Sequence, residues 1–141
     1  MSQQNEISVD FRSLLAEETE WVVGEELHVG REPAGPSNVI TIYDLPGAGP
    51  LPEYERGDEK YMYASAQIRV RHTSYLTAFS WAHRTVEILD GIGNQEINET
   101  FYTLIRALDS PSILTWDDNN RAIVVVNFAI QRITVKQTTE T

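Results

Sequence analysis

The chain has 141 residues, of which 41% are hydrophobic and 23% are charged, and its formal net charge is −10 at pH 7. This length and composition predict one globular domain, residues 1–141, that is large enough to bury a core. The sequence contains no cysteine, which excludes disulfides, a thiolate nucleophile and a Cys-ligated metal. No apolar run approaches the roughly 20 residues that cross a bilayer, so no membrane partner is expected.

The acidic charge is concentrated in the first part of the chain. Residues 1–60 contain 13 acidic and 4 basic side chains, whereas residues 61–141 contain 8 and 7. A basic face for a phosphate backbone is therefore missing, which argues against sequence-specific nucleic-acid binding. The simplest interpretation of the acidic excess is solubility.

The first 43 residues predict one helix and two strands. Residues 1–7 are polar and are expected to form a flexible tail. Apolar and acidic residues from Ser8 to about Val23 indicate a helix with one apolar side, which Gly24 could end. Glu26–Arg31 is compatible with a short strand, and the β-branched and aromatic residues of Asn38–Tyr43 predict the next one.

A segment rich in proline and glycine, Leu45–Lys60, is predicted to be a long loop. Loops of this length in a compact domain are usually functional or disordered. Gly47 and Gly49 lack the lysine and the spacing of a phosphate-binding loop. The carboxylates of the segment, Glu53, Glu55, Asp58 and Glu59, are expected to be solvated.

The segment Met62–Leu89 forms the predicted centre of the fold. Apolar residues alternate with polar ones from Met62 to Arg71, as in a strand with one buried face. From Tyr75 to Leu89 the apolar spacing changes to three and four residues, which indicates an amphipathic helix. Thr73 or Ser74 can cap its start, and Gly91 and Gly93 follow its end. The small residues of its apolar face, Ala78 and Ala82, would allow close packing on the sheet.

The remaining residues predict strands. These are a turn or short edge segment at Asn94–Asn98, strands at Glu99–Leu108 and Ser112–Trp116, a turn at Asp117–Asn120, a long strand at Arg121–Val135, and a flexible tail at residues 136–141. The two strands that flank the turn should pair as a hairpin. The predicted fold class is α+β, a mostly antiparallel sheet with two main helices packed on one face.

The sequence offers little for catalysis or metal binding. Its three histidines, His28, His72 and His83, are not spaced as metal ligands. The acidic turn Asp117–Asn120 lacks the glycine and the terminal glutamate of a twelve-residue calcium loop. No catalytic residue, cofactor site or metal site is therefore predicted, and an enzyme is not expected.

Arg69 and Arg71 alternate on the polar face of the central strand, and two interpretations remain open. They could pair with acidic residues on a neighbouring strand. Alternatively, they could form a subunit interface that accepts acidic loops of a neighbouring copy.

An ordered series of residues resembles a family of small tailed-phage proteins, the minor capsid or tail terminator (tail completion) proteins. Pro36–Asp44, followed by Pro46 and Gly47, resembles the opening strand of that family. The series continues with Gln67–Arg71, Ser74, Tyr75, Ala78, Ala82, Val86, Leu89, Ile97, Asn98, Tyr102, Ile105–Leu108, Ser110, Pro111, Asp117–Arg121, Asn127 and Phe128. The resemblance covers about residues 36–132, and the order of the matches carries it rather than any single motif.

The resemblance implies a structural role without chemistry or cofactors. Tail terminators form a hexameric ring on the last ring of tail-tube protein, stop tube growth and present the surface that docks on the neck of the head. The implied location is the head-proximal end of the virion tail, assembled in the host cytoplasm, and the resemblance favours a long non-contractile tail. The implied partners are the chain itself, the tail-tube protein and a head–tail connector or neck protein. An acidic ring around the channel would keep the passing DNA from adhering.

A cyclic ring requires a heterologous contact, in which one patch meets a different patch of the neighbour. We expect Tyr63, Arg69 and Arg71 on one side of this contact. The acidic residues of the loop, Glu53, Glu55, Asp58 and Glu59, are expected on the other side. Two alternatives remain: a neck or head-completion protein that also forms a ring, and a small α+β module or enzyme with a ligand pocket.

Overall fold

The helices and strands of the protein follow the predicted order along the chain. The computed structural model describes residues 6–50 and 59–135. Its elements are α1 (Ile7–Glu18), β1 (Leu27–Val29), β2 (Val39–Pro50), β3 (Glu59–His72), α2 (Tyr75–Leu89), β4 (Gln95–Ile97), β5 (Thr100–Ala107), β6 (Ser112–Trp116) and β7 (Ala122–Val135). The fold is α+β, as predicted.

The strands of the described segments form one sheet in the order β1-β2-β3-β7-β5-β4, with β6 also paired to β7. Strand β1 runs parallel to β2, and the other neighbouring pairs are antiparallel. At the centre, β3 and β7 pair along their whole length, from Glu59 opposite Val135 to His72 opposite Ala122. On the other side of β7, β6 pairs with its first residues and β5 with its later ones.

Both helices contribute to one hydrophobic core on a single face of the sheet. Phe11 and Leu15 of α1 are fully buried, and the ring of Phe11 meets Phe128 of β7 edge to face at 5.7 Å. Ala78 and Ala82 of α2 are also fully buried. The core side of β7 is formed by the predicted apolar residues Val124, Val126, Phe128 and Ile130. The period-2 pattern of the strands and the helical stripe of α2 therefore identified the buried faces, except that Tyr75, the first residue of the predicted stripe, is 43% exposed.

The predicted ends of α2 are largely confirmed. Ser74 is the N-cap residue, and its side chain accepts a hydrogen bond from the backbone N–H of Thr77 at 3.3 Å. After the helix, Gly91 adopts a left-handed conformation with a φ of 89°, which glycine reaches without a Cβ clash. Gly93 does not adopt a positive φ.

The prediction for the first helix is wrong at both ends. Ile7, expected in a flexible tail, is the buried first residue of α1. The helix ends at Glu18 rather than at Val23. There the Thr19 hydroxyl donates to the carbonyl of Leu15 at 2.6 Å and accepts from the N–H of Trp21 at 3.0 Å. This local bonding turns the chain so that Trp21 packs into the core.

The predicted Leu45–Lys60 loop is also wrong at both ends, because β2 continues to Pro50 and β3 begins at Glu59. The pairing passes an irregularity between Leu45 and Gly49 and resumes with Gly49 opposite Tyr63. Strand β1 pairs with β2 only at residues 40–42, so the later part of β2 has a free edge in the described segments. Proline is tolerated at such an edge because no neighbouring strand needs its N–H.

Beyond α2, the predicted strands are confirmed, and each of their bounds agrees to within one residue. The segment at 94–98 contains the short edge strand β4, which pairs with β5. Strands β6 and β7 form the predicted hairpin, with Trp116 opposite Ala122. Asp117 closes the turn by accepting hydrogen bonds from the backbone N–H groups of Asn119 and Arg121, each at 2.9 Å.

Candidate interaction surface

The face of the sheet opposite the helices, here called the outer face, is polar along its centre. It carries Tyr63, Ser65, Gln67 and Arg69 of β3 and Asn127, Ala129 and Gln131 of β7. A chain of hydrogen bonds crosses it: Arg69 Nε donates to Gln67 Oε1 at 2.8 Å, Gln67 Nε2 to Asn127 Oδ1 at 3.0 Å, and Asn127 Nδ2 to Asp109 Oδ2 at 3.1 Å. These side chains are partly exposed, so the outer face is an ordered polar surface.

The positive charge of the Arg69 guanidinium is available to bind an acidic group of a partner. Its guanidinium lies 5.0 Å from the centre of the Tyr43 ring, a cation–π arrangement that fixes the side chain on the outer face. Burial raises the pKa of Tyr43, and the nearby carboxylate of Glu32 raises it further, so this ring stays neutral. Within residues 6–50 and 59–135, the two terminal nitrogens of Arg69 make neither a hydrogen bond nor an ion pair. The predicted role of Arg69 at an interface is compatible with this geometry.

Arg71 has a different environment, although it belongs to the same strand face. Only 3% of the residue is exposed. Its guanidinium donates to the carbonyls of Pro36 at 2.7 Å and Ser37 at 3.2 Å, and it lies 3.5 Å from the carboxylate of Glu32. These contacts fasten the connection between β1 and β2, residues 30–38, over one end of the outer face. The guanidinium of Arg71 thus binds groups of its own chain, and its charge is neutralised there by Glu32.

Neither arginine forms the cross-strand acid pair that was one interpretation of the sequence. Arg69 has no acidic partner among the residues that the structure describes, and the acidic partner of Arg71, Glu32, lies in a connection rather than in a strand. Arg121 also holds the connection of residues 30–38. It pairs with Asp117 at 2.7 Å and donates a hydrogen bond to the carbonyl of Ala34 at 3.5 Å.

Of the four acids predicted for the other side of the contact, the structure describes only Glu59, at the opposite end of β3 from Arg69. Glu53, Glu55 and Asp58 fall outside the described residues, and Glu59 is the first residue of β3. Arg69 lies ten residues further along the strand, a separation of about 33 Å at 3.3 Å per residue. Tyr63, opposite Gln131 on the outer face, lies between these two ends. Within one chain the backbone positions of Glu59 and Arg69 are therefore far apart.

A buried polar cluster connects α1 to the sheet, and the sequence analysis missed it. The Tyr102 hydroxyl donates a hydrogen bond to Asp10, and Arg132 Nη1 lies 3.3 Å from that hydroxyl and 3.9 Å from the Asp10 carboxylate. Asn98 Nδ2 also donates to Asp10, at 2.9 Å. Burial raises the pKa of Tyr102, and its hydrogen bond to Asp10 raises it further. The only local signal was an aspartate on the apolar side of a helix.

The histidines form no shared site. His72 Nδ1 accepts a hydrogen bond from the N–H of Ser74 at 2.9 Å, and its ring meets Trp81 edge to face at 4.8 Å. Burial lowers the pKa of His72. A ring nitrogen of His28 is 2.9 Å from the carbonyl of Glu25. In the described part of the chain, no three His, Asp or Glu side chains are grouped so that they could hold a metal ion.

Among residues 6–50 and 59–135, no helix combines the length and the hydrophobicity needed to cross a membrane.

Comparisons with known proteins agree with this architecture. A sequence model of the family described as "Bacteriophage tail terminator protein" matches residues 14–133. Among solved structures, a chain of the "Virion of native gene transfer agent (GTA) particle" has a similar fold, with a TM-score of 0.57 and 9% sequence identity. That alignment covers 87% of this chain and 94% of the other. No curated protein matches the sequence.

By its fold the protein is a two-layer α+β domain, with helices on one face of the sheet and an ordered polar surface on the other. The family match extends over most of the chain. The chain therefore belongs to the bacteriophage tail terminator family, and it is a structural, tail-completion protein of the virion.

Proposed function

We propose that the protein forms a hexameric ring that caps the tail tube at its head-proximal end and joins the tail to the neck of the head. The observation that carries this proposal is the family match over residues 14–133. Its partners would be five further copies of the chain, the tail-tube protein and a head–tail connector or neck protein. The ring would assemble in the host cytoplasm, on a long non-contractile tail.

The positions of the charged groups support a contact between copies. Glu59, the last of the four predicted acids, lies ten residues from Arg69 on β3, a distance of about 33 Å. A separation of this size between Glu59 and Arg69 is compatible with a contact in which the acids of one copy meet Arg69 of another. A contact between two different patches of the same chain is heterologous, and repeated heterologous contacts generate a ring when the rotation closes. Tyr63 would contribute an aromatic side chain to the same surface.

Because Arg71 is buried, we propose for it a role different from the direct interface contact expected from the sequence. Its guanidinium is committed to the 30–38 connection, so it would support the interface by holding that connection in place. The acids on the other side would be Glu53, Glu55, Asp58 and Glu59. A carboxylate facing the open end of Arg69 would form a charge-assisted hydrogen bond.

The function proposed here needs no chemical step. An excess of acidic side chains, giving a net charge of −10, disfavours adhesion of DNA to the ring as the genome passes. Binding to the tube and the neck would come from surface complementarity. Neither binding to the tube nor binding to the neck requires a cofactor or a metal.

The test is native mass spectrometry over a rising concentration series, combined with negative-stain imaging of the same samples. Six copies of the 16.0 kDa chain would weigh about 96 kDa and show an open centre. Purified tail-tube protein should then form shorter tubes that carry the ring at one end. A ring that binds a neck protein but leaves tube length unchanged would instead favour the neck-protein alternative.

The variant Arg69→Glu tests the residue at the centre of the proposed contact. We expect a folded monomer, because Arg69 is partly exposed and its loss leaves no buried charge. The control is Arg12→Glu, which makes the same change in charge in α1, within the helical layer. Ring formation that is equal for both variants would contradict the proposed role of Arg69.

A further inference from the structure

Strand β6 and the first turn of α2 expose a group of apolar side chains, here called the β6 patch. Its members are Tyr75, Leu76, Ile113, Leu114 and Trp116, which are between 38% and 77% exposed. The rings of Tyr75 and Trp116 stack with an interplanar angle of 9° and a centroid distance of 5.9 Å. All five residues of β6 are exposed and uncharged, and in the described segments β6 pairs only with β7. Natural edge strands are usually protected by charge, and exposed apolar patches mark interaction sites.

A smaller apolar surface lies at the opposite edge of the sheet. The turn between α1 and β1, residues Val22–Glu26, exposes 47% of Val22 and 45% of Val23. Val23 bridges Leu27 on the side of β1 that faces away from β2. The turn is held in shape because Glu26 Oε1 accepts a hydrogen bond from the N–H of Val22 at 2.8 Å.

These two surfaces lie at the same level of the sheet. One row of paired residues crosses the strands in the order Val23, Leu27, Ile40, Val70, Val124, Ile113. At about 4.8 Å between neighbouring strands, the row is about 24 Å long. Its first and last residues, Val23 and Ile113, therefore lie at opposite edges of the sheet, at the two ends of one row of paired residues.

The positions of the two surfaces at opposite edges of the sheet have a consequence for assembly. Because the two surfaces differ and lie at opposite edges, contact between the Val23 edge of one copy and the Ile113 edge of the next is heterologous. Repeated heterologous contacts give a ring when the rotation between copies closes, and a helical filament when it does not. Contact between the two edges is thus compatible with a closed assembly.

The charges of the two edges are also complementary. The Glu25 carboxylate of the turn is exposed and has no partner within the described residues. The first turn of α2 contains no acidic side chain. The N–H groups of Tyr75 and Leu76 likewise have no partner there. The N-terminus of a helix is the positive end of its dipole and favours a carboxylate.

We propose that the Val22–Glu26 turn of one protomer docks on the β6 patch of the next protomer in the ring. Val22 and Val23 cover Leu114 and Trp116, and Glu25 faces the first turn of α2. This inference rests on the proposed ring and does not depend on the contact proposed at Arg69, which the Arg69→Glu variant tests separately. The occupant of the patch is a second copy of this chain rather than the tail-tube protein.

The test compares Leu114→Glu and Val23→Lys, which change the two proposed partner surfaces separately. The control is Phe101→Glu, because Phe101 is also a large apolar side chain that is partly exposed, at 38%, and it pairs with Ile133 near the opposite end of β7. Native mass spectrometry measures ring formation, and circular dichroism checks that each variant is folded. We expect either interface variant to raise the concentration needed for half-assembly at least about tenfold, since a residue at the centre of an interface carries much of its binding energy. The control should assemble as the unmodified protein does.

The two proposals fail in different ways. If the unmodified protein forms no ring on its own or on tail tubes, the proposed function fails. If the unmodified protein forms a ring and the folded Leu114→Glu and Val23→Lys variants assemble equally well, the docking of the turn on the β6 patch is wrong. Rings of these variants that no longer bind tail tubes would assign the patch to the tube protein and overturn the inference. Recovery of the ring in the Val23→Lys/Leu114→Glu double variant would support it, because every contact then pairs opposite charges.

Discussion

Tyr102 of β5 donates a hydrogen bond to Asp10 of α1, which lies 92 residues earlier in the chain. Both residues are fully buried, and Arg132 of β7 contacts the same hydroxyl. The cluster connects the helical layer to two strands of the sheet through polar groups within the core. Its disruption should therefore affect the stability of the whole domain.

We expect Tyr102→Phe to lower the free energy of unfolding by about 1–3 kcal/mol, because Asp10 and Arg132 lose a buried partner while the ring volume is kept. Urea denaturation followed by circular dichroism measures the change. Tyr75→Phe is the matched control, since it removes the hydroxyl of a tyrosine that is 43% exposed. Equal effects of the two substitutions would show that the cluster does not contribute to stability.

Arg71 should matter more for stability than its neighbours on the surface. Replacement by glutamine leaves the carbonyls of Pro36 and Ser37 without their donor and Glu32 without its cation, so we expect a loss of about 2–4 kcal/mol. Arg84→Gln is the comparison. Arg84 forms a shorter ion pair with Glu20, at 2.7 Å, but that pair is exposed to solvent and should contribute little. Chemical denaturation measures the loss of unfolding free energy in both variants. An equal or larger loss for Arg84→Gln would contradict the prediction.

His72 should make the stability of the domain depend on pH. Burial lowers its pKa in the folded state, so the unfolded chain takes up a proton more readily. The contribution is fully present above the unfolded pKa of about 6.5 and is lost as the pH falls below it. Protonation of Nδ1 would also remove the hydrogen bond from Ser74. The unfolding free energies at pH 7.5 and pH 5 should therefore differ less in His72→Asn than in the unmodified protein. The amide oxygen of asparagine can replace Nδ1 as the hydrogen-bond acceptor. An unchanged difference would exclude His72 as the cause of the pH dependence.

The close approach of α2 to the sheet depends on its small residues. Ala82 is fully buried, so Ala82→Leu should force the helix outwards and cost about 1–3 kcal/mol in unfolding free energy. Ser80→Leu adds a similar side chain to an exposed position of the same helix and should change stability by less than about 0.5 kcal/mol. Thermal and urea unfolding of both variants would test the difference, and an Ala82→Leu variant as stable as the Ser80→Leu variant would contradict it.

The sequence did not distinguish Arg69 from Arg71. The two residues share a strand face and a chemical type, and periodicity assigns them to the same surface. Their environments differ because the 30–38 connection folds back over one of them and not the other. The extension of β2 to Pro50 was missed for a related reason, since proline and glycine predict a loop unless a free strand edge accommodates them.

Local patterns alone determined the order of the main elements, the buried faces of β3, α2 and β7, and the cap at Ser74, because alternation, helical spacing and capping act over a few neighbouring residues. Resemblance along residues 36–132 indicated the family. The tertiary structure decided which polar residues are buried and which remain available. The Asp10–Tyr102–Arg132 cluster and the row from Val23 to Ile113 join residues far apart in the chain. Such contacts depend on strand register and helix docking, and no local sequence pattern encodes them.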